Sequence, residues 1–206
     1  MDLNDRYSPQ TSFSIFPPAI KNLLIINGLV FLAQNTPITG TILNNYFSLF
    51  PYDSGYFYPW QLVSYMFMHG NISHIFFNLF ALWMFGLQLE LRWGTRRFLT
   101  YYFLTGIGAG LLSMLVSNAI VIGASGAVYG ILIGFGMMYP HKYIYMLFPP
   151  IPMKAKYFVM FYGAIELFSG ISGLSSGIAH SAHLGGMVIG FILFVTNLHA
   201  QPSQNY

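Results

Sequence analysis

Three short polar clusters interrupt an otherwise apolar chain, and their side chains are those that acyl transfer to a hydroxyl requires. The first is Gly123-Ala124-Ser125-Gly126. Gly123 can take a backbone angle closed to other residues. Ser125 would then open a helix, where free backbone N–H groups face any negative charge that develops beside them. A serine that merely caps a helix in a glycine-rich turn would look the same. The second cluster is Ala179-His180-Ser181-Ala182-His183-Leu184-Gly185-Gly186. Ionisable residues inside an apolar span are costly and mark function, and an imidazole takes a serine proton near neutral pH. The competing reading for His183 is an interfacial ring bonded to a backbone carbonyl. His180, nearer the surface, reads as structural. In the third cluster, His69 to Asn78, His74 and Asn78 stand four apart on one helix face. Both can donate to an oxyanion, where one preorganised donor is worth about 3–4 kcal/mol. As interhelical bonds they would be worth under about 2 kcal/mol. His69 reads as shaping the segment before that helix.

A nucleophile and a base on different helices must bring heavy atoms within about 3 Å, so the helices themselves must approach closely. Small residues at four-residue spacing allow this. Gly126 and Gly130 provide such a face after Ser125, and Gly186 and Gly190 after His183. Tyr129 lies one turn from Ser125 and could pack its ring on His183, taking the place of the carboxylate that orients the base in the usual triad. Three histidines could ligate zinc. No Asp or Glu stands beside them in the sequence, however, and no His-Glu-x-x-His pattern occurs, so neither metal nor cofactor is predicted.

The elements that would carry these residues are membrane helices. The 206 residues are 55% hydrophobic and 6% charged, far below the roughly 25% charged residues of soluble domains. With no cysteine, disulfide and thiolate chemistry are excluded, and a net charge of +3 is too small to argue for nucleic acid. Six apolar stretches, at about 18–34, 71–89, 98–117, 125–139, 156–171 and 181–198, are candidate spans, the fourth and fifth being short. The first ends in Gln34-Asn35-Thr36-Pro37, which lacks a small-x-small cleavage site, so it reads as a retained helix. With six spans, Arg6, Lys21, Arg92, Arg96, Arg97, Lys142, Lys154 and Lys156 all fall on one side, which positive-inside bias makes cytoplasmic together with both termini. The outer segment from Thr36 to about Gly70 is rich in Tyr, Phe and Trp and reads as a large compact loop lying partly in the outer leaflet. One domain is expected over 18–198, with cytoplasmic segments at 1–17 and 199–206.

Together the three clusters resemble the rhomboid intramembrane serine proteases, over about 60–198. The resemblance rests on the Gly-x-Ser-Gly turn at Gly123–Gly126, on His183 before Gly186 and Gly190, and on His74 with Asn78, in that order. It implies an all-α, six-helix membrane bundle with Ser125 as nucleophile and His183 as general base. His74, Asn78 and the Ser125 N–H would form the oxyanion hole, with Tyr129 stacked on the base. Glu90 is similar to a family glutamate that ties the first loop and neighbouring helices. Glu166 is similar to an acidic residue near the outer end of helix five and receives no catalytic role. Many rhomboids carry Trp-Arg where this chain has Trp60-Gln61, which puts the rigidity of the outer loop in question. The stretch Gly170–Gly177 reads as a mobile loop over the site. The implied partners are transmembrane substrate proteins and lipids, with no nucleic acid; small size and the lack of a targeting signal beyond the first span favour a bacterial plasma (inner) membrane. The alternatives are a rhomboid-like protein that captures transmembrane helices without cutting them, and a transporter, against which the absence of paired inverted spans argues.

Overall fold

A computed structural model describes residues 15–145, 151–172 and 180–196. Its helices are α1 (Pro18–Gln34), α2 (Pro37–Phe47), the short α3 (Gln61–Ser64) running into a 3-10 turn, α4 (Ile72–Trp93), α5 (Thr95–Val116), α6 (Ser125–Met138), α7 (Ala155–Ser172) and α8 (His180–Val195). The six predicted spans fall on α1, α4, α5, α6, α7 and α8. The stretch predicted as a mobile loop begins inside α7, and its residues 173–177 lie outside the described residues, as do 1–14 and 197–206. α4 and α5 are each long and apolar enough to cross a bilayer. α1 reaches that measure only together with α2, which leaves it at 116°. The exterior is strongly apolar: Leu32, Ile72, Leu115 and Ile171 are each 67–80% exposed. Lipid accepts such a surface; water does not.

Local signals set the helix ends. Pro18 and Pro37 occupy first-turn positions, where a missing N–H costs nothing. The Asn71 side chain caps α4 by accepting the His74 N–H at 2.8 Å, which also fixes the turn carrying His74. Gly94, at φ 81°, separates α4 from α5. Two features went unread in the sequence: the helix α2 within the outer segment, and a two-stranded antiparallel hairpin, β1 (Tyr143–Tyr145) with β2 (Pro152–Lys154), between α6 and α7. The signal for α2 was Thr36-Pro37, a helix-start pair.

Glu90 is 2% exposed and accepts the Ala19 and Ile20 N–H groups, each at 2.8 Å, and the Thr95 hydroxyl at 2.7 Å. It therefore caps α1 from α4, a carboxylate at the positive end of a helix. Of the expected ties, those to neighbouring helices are present, to α1 and to the start of α5, and none to the outer loop occurs among the described residues. Replacing Glu90 with alanine leaves buried N–H groups unsatisfied and should cost about 2–4 kcal/mol, read as a lower melting temperature. Gln61 holds the outer loop instead. It is fully buried, donates to the Tyr56 and Tyr46 carbonyls at 3.0 and 3.3 Å, and accepts the Phe50 N–H at 3.2 Å. Glutamine thus ties together the loop whose rigidity the missing arginine put in question.

α6 and α8 pack through glycine. A Cβ on Gly186 would stand 1.9 Å from the Gly126 carbonyl oxygen, and one on Gly190 would stand 2.9 Å from the Gly130 Cα. The Tyr101 hydroxyl of α5 lies 2.9 Å from the carbonyl oxygens of both Gly130 and Gly190 and pins the pair. Backbones in direct contact place the first turns of α6 and α8 side by side.

Candidate active site

Ser125 is the first residue of α6, after Gly123 at φ 115°. That angle suits glycine, and any Cβ there would also lie 2.6 Å from His74 Nε2. The Gly123 N–H donates to the Tyr65 carbonyl at 2.8 Å and holds the turn. No side chain caps α6 from its N-cap residue Ala124, and the first N–H groups of a helix have no partner within it. His183, in the first turn of α8, places Nε2 2.7 Å from Ser125 Oγ. The Tyr129 ring stacks on the imidazole with centroids 4.5 Å apart and planes 18° from parallel. A hydroxyl hydrogen-bonded to a ring nitrogen, with helix N–H groups beside it, can deliver an activated oxygen to a carbonyl.

The other predicted residues surround this pair. His74 lies against Gly123, and its Nδ1 accepts the Gly70 N–H at 3.3 Å. Asn78 is buried and donates one amide N–H to the His74 carbonyl at 2.9 Å. His69 packs edge-on to His74 at 5.0 Å, and its backbone N–H donates to Gln34 Oε1 at 2.9 Å. Burial pushes the His69 ring down from 6.5 to about 4, His74 adds to this, and a bond to the Phe67 carbonyl opposes it. The folded chain therefore refuses a proton that the unfolded chain accepts, so stability present above pH 6.5 is lost as pH falls toward 4. Melting temperatures should fall more between neutral and acid pH for the unaltered chain than for His69→Gln.

Glu166, from α7, is the residue that sequence reasoning left without a role. Its carboxylate is buried at the site. Oε1 accepts the Tyr129 hydroxyl, while Oε2 lies 2.6 Å from His180 Nδ1 and 3.0 Å from His183 Nδ1. The His183 contact is an ion-pair distance off the line of an ideal hydrogen bond. This overturns the expectation that no carboxylate stands beside the histidines. Glu166, His180 and His183 bring ligand atoms within 4.8 Å of one another, a set able to hold a divalent cation. The sequence signal was present: an acidic residue within an apolar helix, fourteen positions before His180.

The Rhomboid domain description matches residues 57–200. Rhomboid protease GlpG of Yersinia pestis is 31% identical over 163 residues, 76% of this chain and 55% of that protein. Rhomboid protease AarA of Providencia stuartii is 31% identical over 155 residues, 66% of this chain and 55% of its own length. Rhomboid-like protease 3 of Toxoplasma gondii is 34% identical over 133 residues, 60% and 51% respectively. The matched region thus spans about half the length of these relatives.

Proposed function

The chain belongs to the rhomboid family, and from that premise we propose that it is an intramembrane serine endopeptidase hydrolysing peptide bonds in or near transmembrane helices by a Ser125–His183 dyad. The observation that carries the reading is the 2.7 Å contact between Ser125 Oγ and His183 Nε2. A substrate helix unwinds near its outer end, most readily at small or helix-breaking residues, because a helical peptide bond is tied into its own hydrogen bonds. Ser125 Oγ attacks the carbonyl carbon as its proton passes to His183 Nε2. The oxyanion is held by the Ser125 N–H, His74 and Asn78. His183 then gives the proton to the leaving amine, the C–N bond breaks, and the acyl group remains on Ser125. Water repeats the sequence: its proton goes to His183, its oxygen attacks the ester, and the proton returns to Ser125 Oγ.

In this reading α1, α4, α5, α6, α7 and α8 are six spans of one domain over 18–198, and both termini are cytoplasmic in a bacterial plasma membrane. Contacts between elements support the alternation. Glu90 joins the end of α4 to the start of α1, Lys142 reaches Gln88, and the Ala155 N–H bonds the Lys142 carbonyl. The described basic residues therefore gather at one end and the dyad at the other.

The second reading, a helix-capturing protein that does not cut, has the same fold. The retained hydroxyl–imidazole contact favours the protease. The test is reconstitution with a single-span peptide whose helix is broken by glycine near its outer end. Two fragments with a new amino terminus inside that stretch are expected. Saturable binding with the peptide left intact would establish the second reading.

A further inference from the structure

We infer that Glu166 is the positioning residue of the active site, holding His183 through its Nδ1 side and, through Tyr129, across its ring face. The inference rests on the dyad proposed above. One carboxylate reaches both supports of the imidazole: Oε1 takes the Tyr129 hydroxyl, and Tyr129 is the ring stacked on His183, while Oε2 stands 3.0 Å from His183 Nδ1. A ring fixed this way keeps its proton on Nδ1 and its lone pair on Nε2, the tautomer that accepts from Ser125. When the Ser125 proton reaches Nε2, the imidazolium forms beside a negative charge already in place, in a site where both side chains are about nine-tenths buried. Glu166 takes no proton: the Nδ1 proton stays, and the Nε2 proton leaves with the amine. The competing role is purely structural, a tie between α7 and the His180 turn at 2.6 Å.

Kinetics separate the two roles. Glu166→Gln keeps an oxygen for Tyr129 and an amide for His180 but removes the charge. The expected result is kcat lower by about 100-fold with KM little changed, a matching fall in the rate of Ser125 labelling by a fluorophosphonate, and partial recovery in Glu166→Asp. Loss of melting temperature with kcat per folded molecule unchanged would overturn the inference. So would an equal kcat loss in His180→Ala, which would route the effect through the α8 turn. If Glu166→Gln does not fold, Glu166→Asp decides: reduced kcat at unchanged KM supports the role, and unaltered kcat refutes it. If the unaltered chain itself takes no label on Ser125, it is the dyad reading that has failed.

A different observation carries a second site at the opposite end. A cavity of about 490 Å³ beside the end of α4 is lined by Leu87, Gln88, Leu91, Arg92, Tyr139 and Lys142. Lys142 Nζ donates to Gln88 Oε1 and lies 5.5 Å from the Tyr139 ring. Arg92 and Lys142 have no ion-pair partner among the described residues, because the one carboxylate nearby, Glu90, is buried and committed to α1. Arg92 at the end of α4 and Lys142 in the turn after α6, two unneutralised cations lining the same cavity as Leu87 and Leu91, match a phosphate headgroup above acyl chains. The geometry points to a binding site for one anionic phospholipid.

In neutral detergent, phosphatidylglycerol should raise the melting temperature by several degrees, while phosphatidylcholine and inorganic phosphate should not. Arg92→Gln with Lys142→Gln should abolish the shift, and Arg96→Gln with Arg97→Gln, the same charge change outside the cavity, should keep it. An equal shift with inorganic phosphate would make this a free-anion site, and an equal loss in both double variants would reduce it to diffuse surface charge. Either result overturns the proposal.

Discussion

Replacing His183 with alanine is expected to lower peptide-bond cleavage by about 10³-fold or more, with the helical fold and melting temperature nearly unchanged. The serine hydroxyl is a weak nucleophile unless a base removes its proton as attack proceeds, and His183 Nε2 is the group at hydrogen-bond distance from Ser125 Oγ. Ser125→Ala should cost as much, and the double variant no more than either alone, because in the proposed mechanism the two side chains act as one unit. Whatever cleavage remains would come from the first N–H groups of α6. Cleavage rates of one transmembrane substrate by the three variants check this. Additive losses would mean that hydroxyl and imidazole work independently.

The second large effect lies in packing. Gly186→Ala should reduce activity by about 100-fold or more and stability by about 1–3 kcal/mol. The added methyl would stand 1.9 Å from the Gly126 carbonyl oxygen, and a backbone atom cannot swing aside as a side chain can. α6 and α8 must then separate at the turns that carry Ser125 and His183, so the contact between those two side chains opens with the helix pair. Gly28→Ala in α1 is the control, since a Cβ there meets nothing within 4 Å. It should leave activity alone and slightly raise stability, because alanine is the better helix former. Melting curves alongside substrate cleavage check both.

Much of this arrangement was legible in the sequence because a bilayer leaves few solutions for a polar residue. Ser125, His183, His74 and Asn78 stood out against apolar neighbours, and glycine at four-residue spacing marked where helices could touch. What was not legible depended on distance across the fold. Glu166 and His183 are on different helices, and no spacing rule says that a carboxylate on α7 turns toward the first turn of α8. Glu90 was equally visible, but besides the nearby Thr95 hydroxyl its partners are two backbone N–H groups some seventy residues away. The short hairpin β1–β2 lacked any alternation long enough to register, and Gln61 gave no hint that one amide would gather three backbone groups.

The contact between Ser125 and His183 is tested most directly by chemistry at the hydroxyl itself. Membranes carrying the protein would be treated with a fluorophosphonate, the chain digested, and the adduct mapped by mass. A single adduct on Ser125, formed quickly in the unaltered chain and absent after His183→Ala, is the predicted result. No adduct on Ser125, or labelling at the same rate without the imidazole, would contradict it.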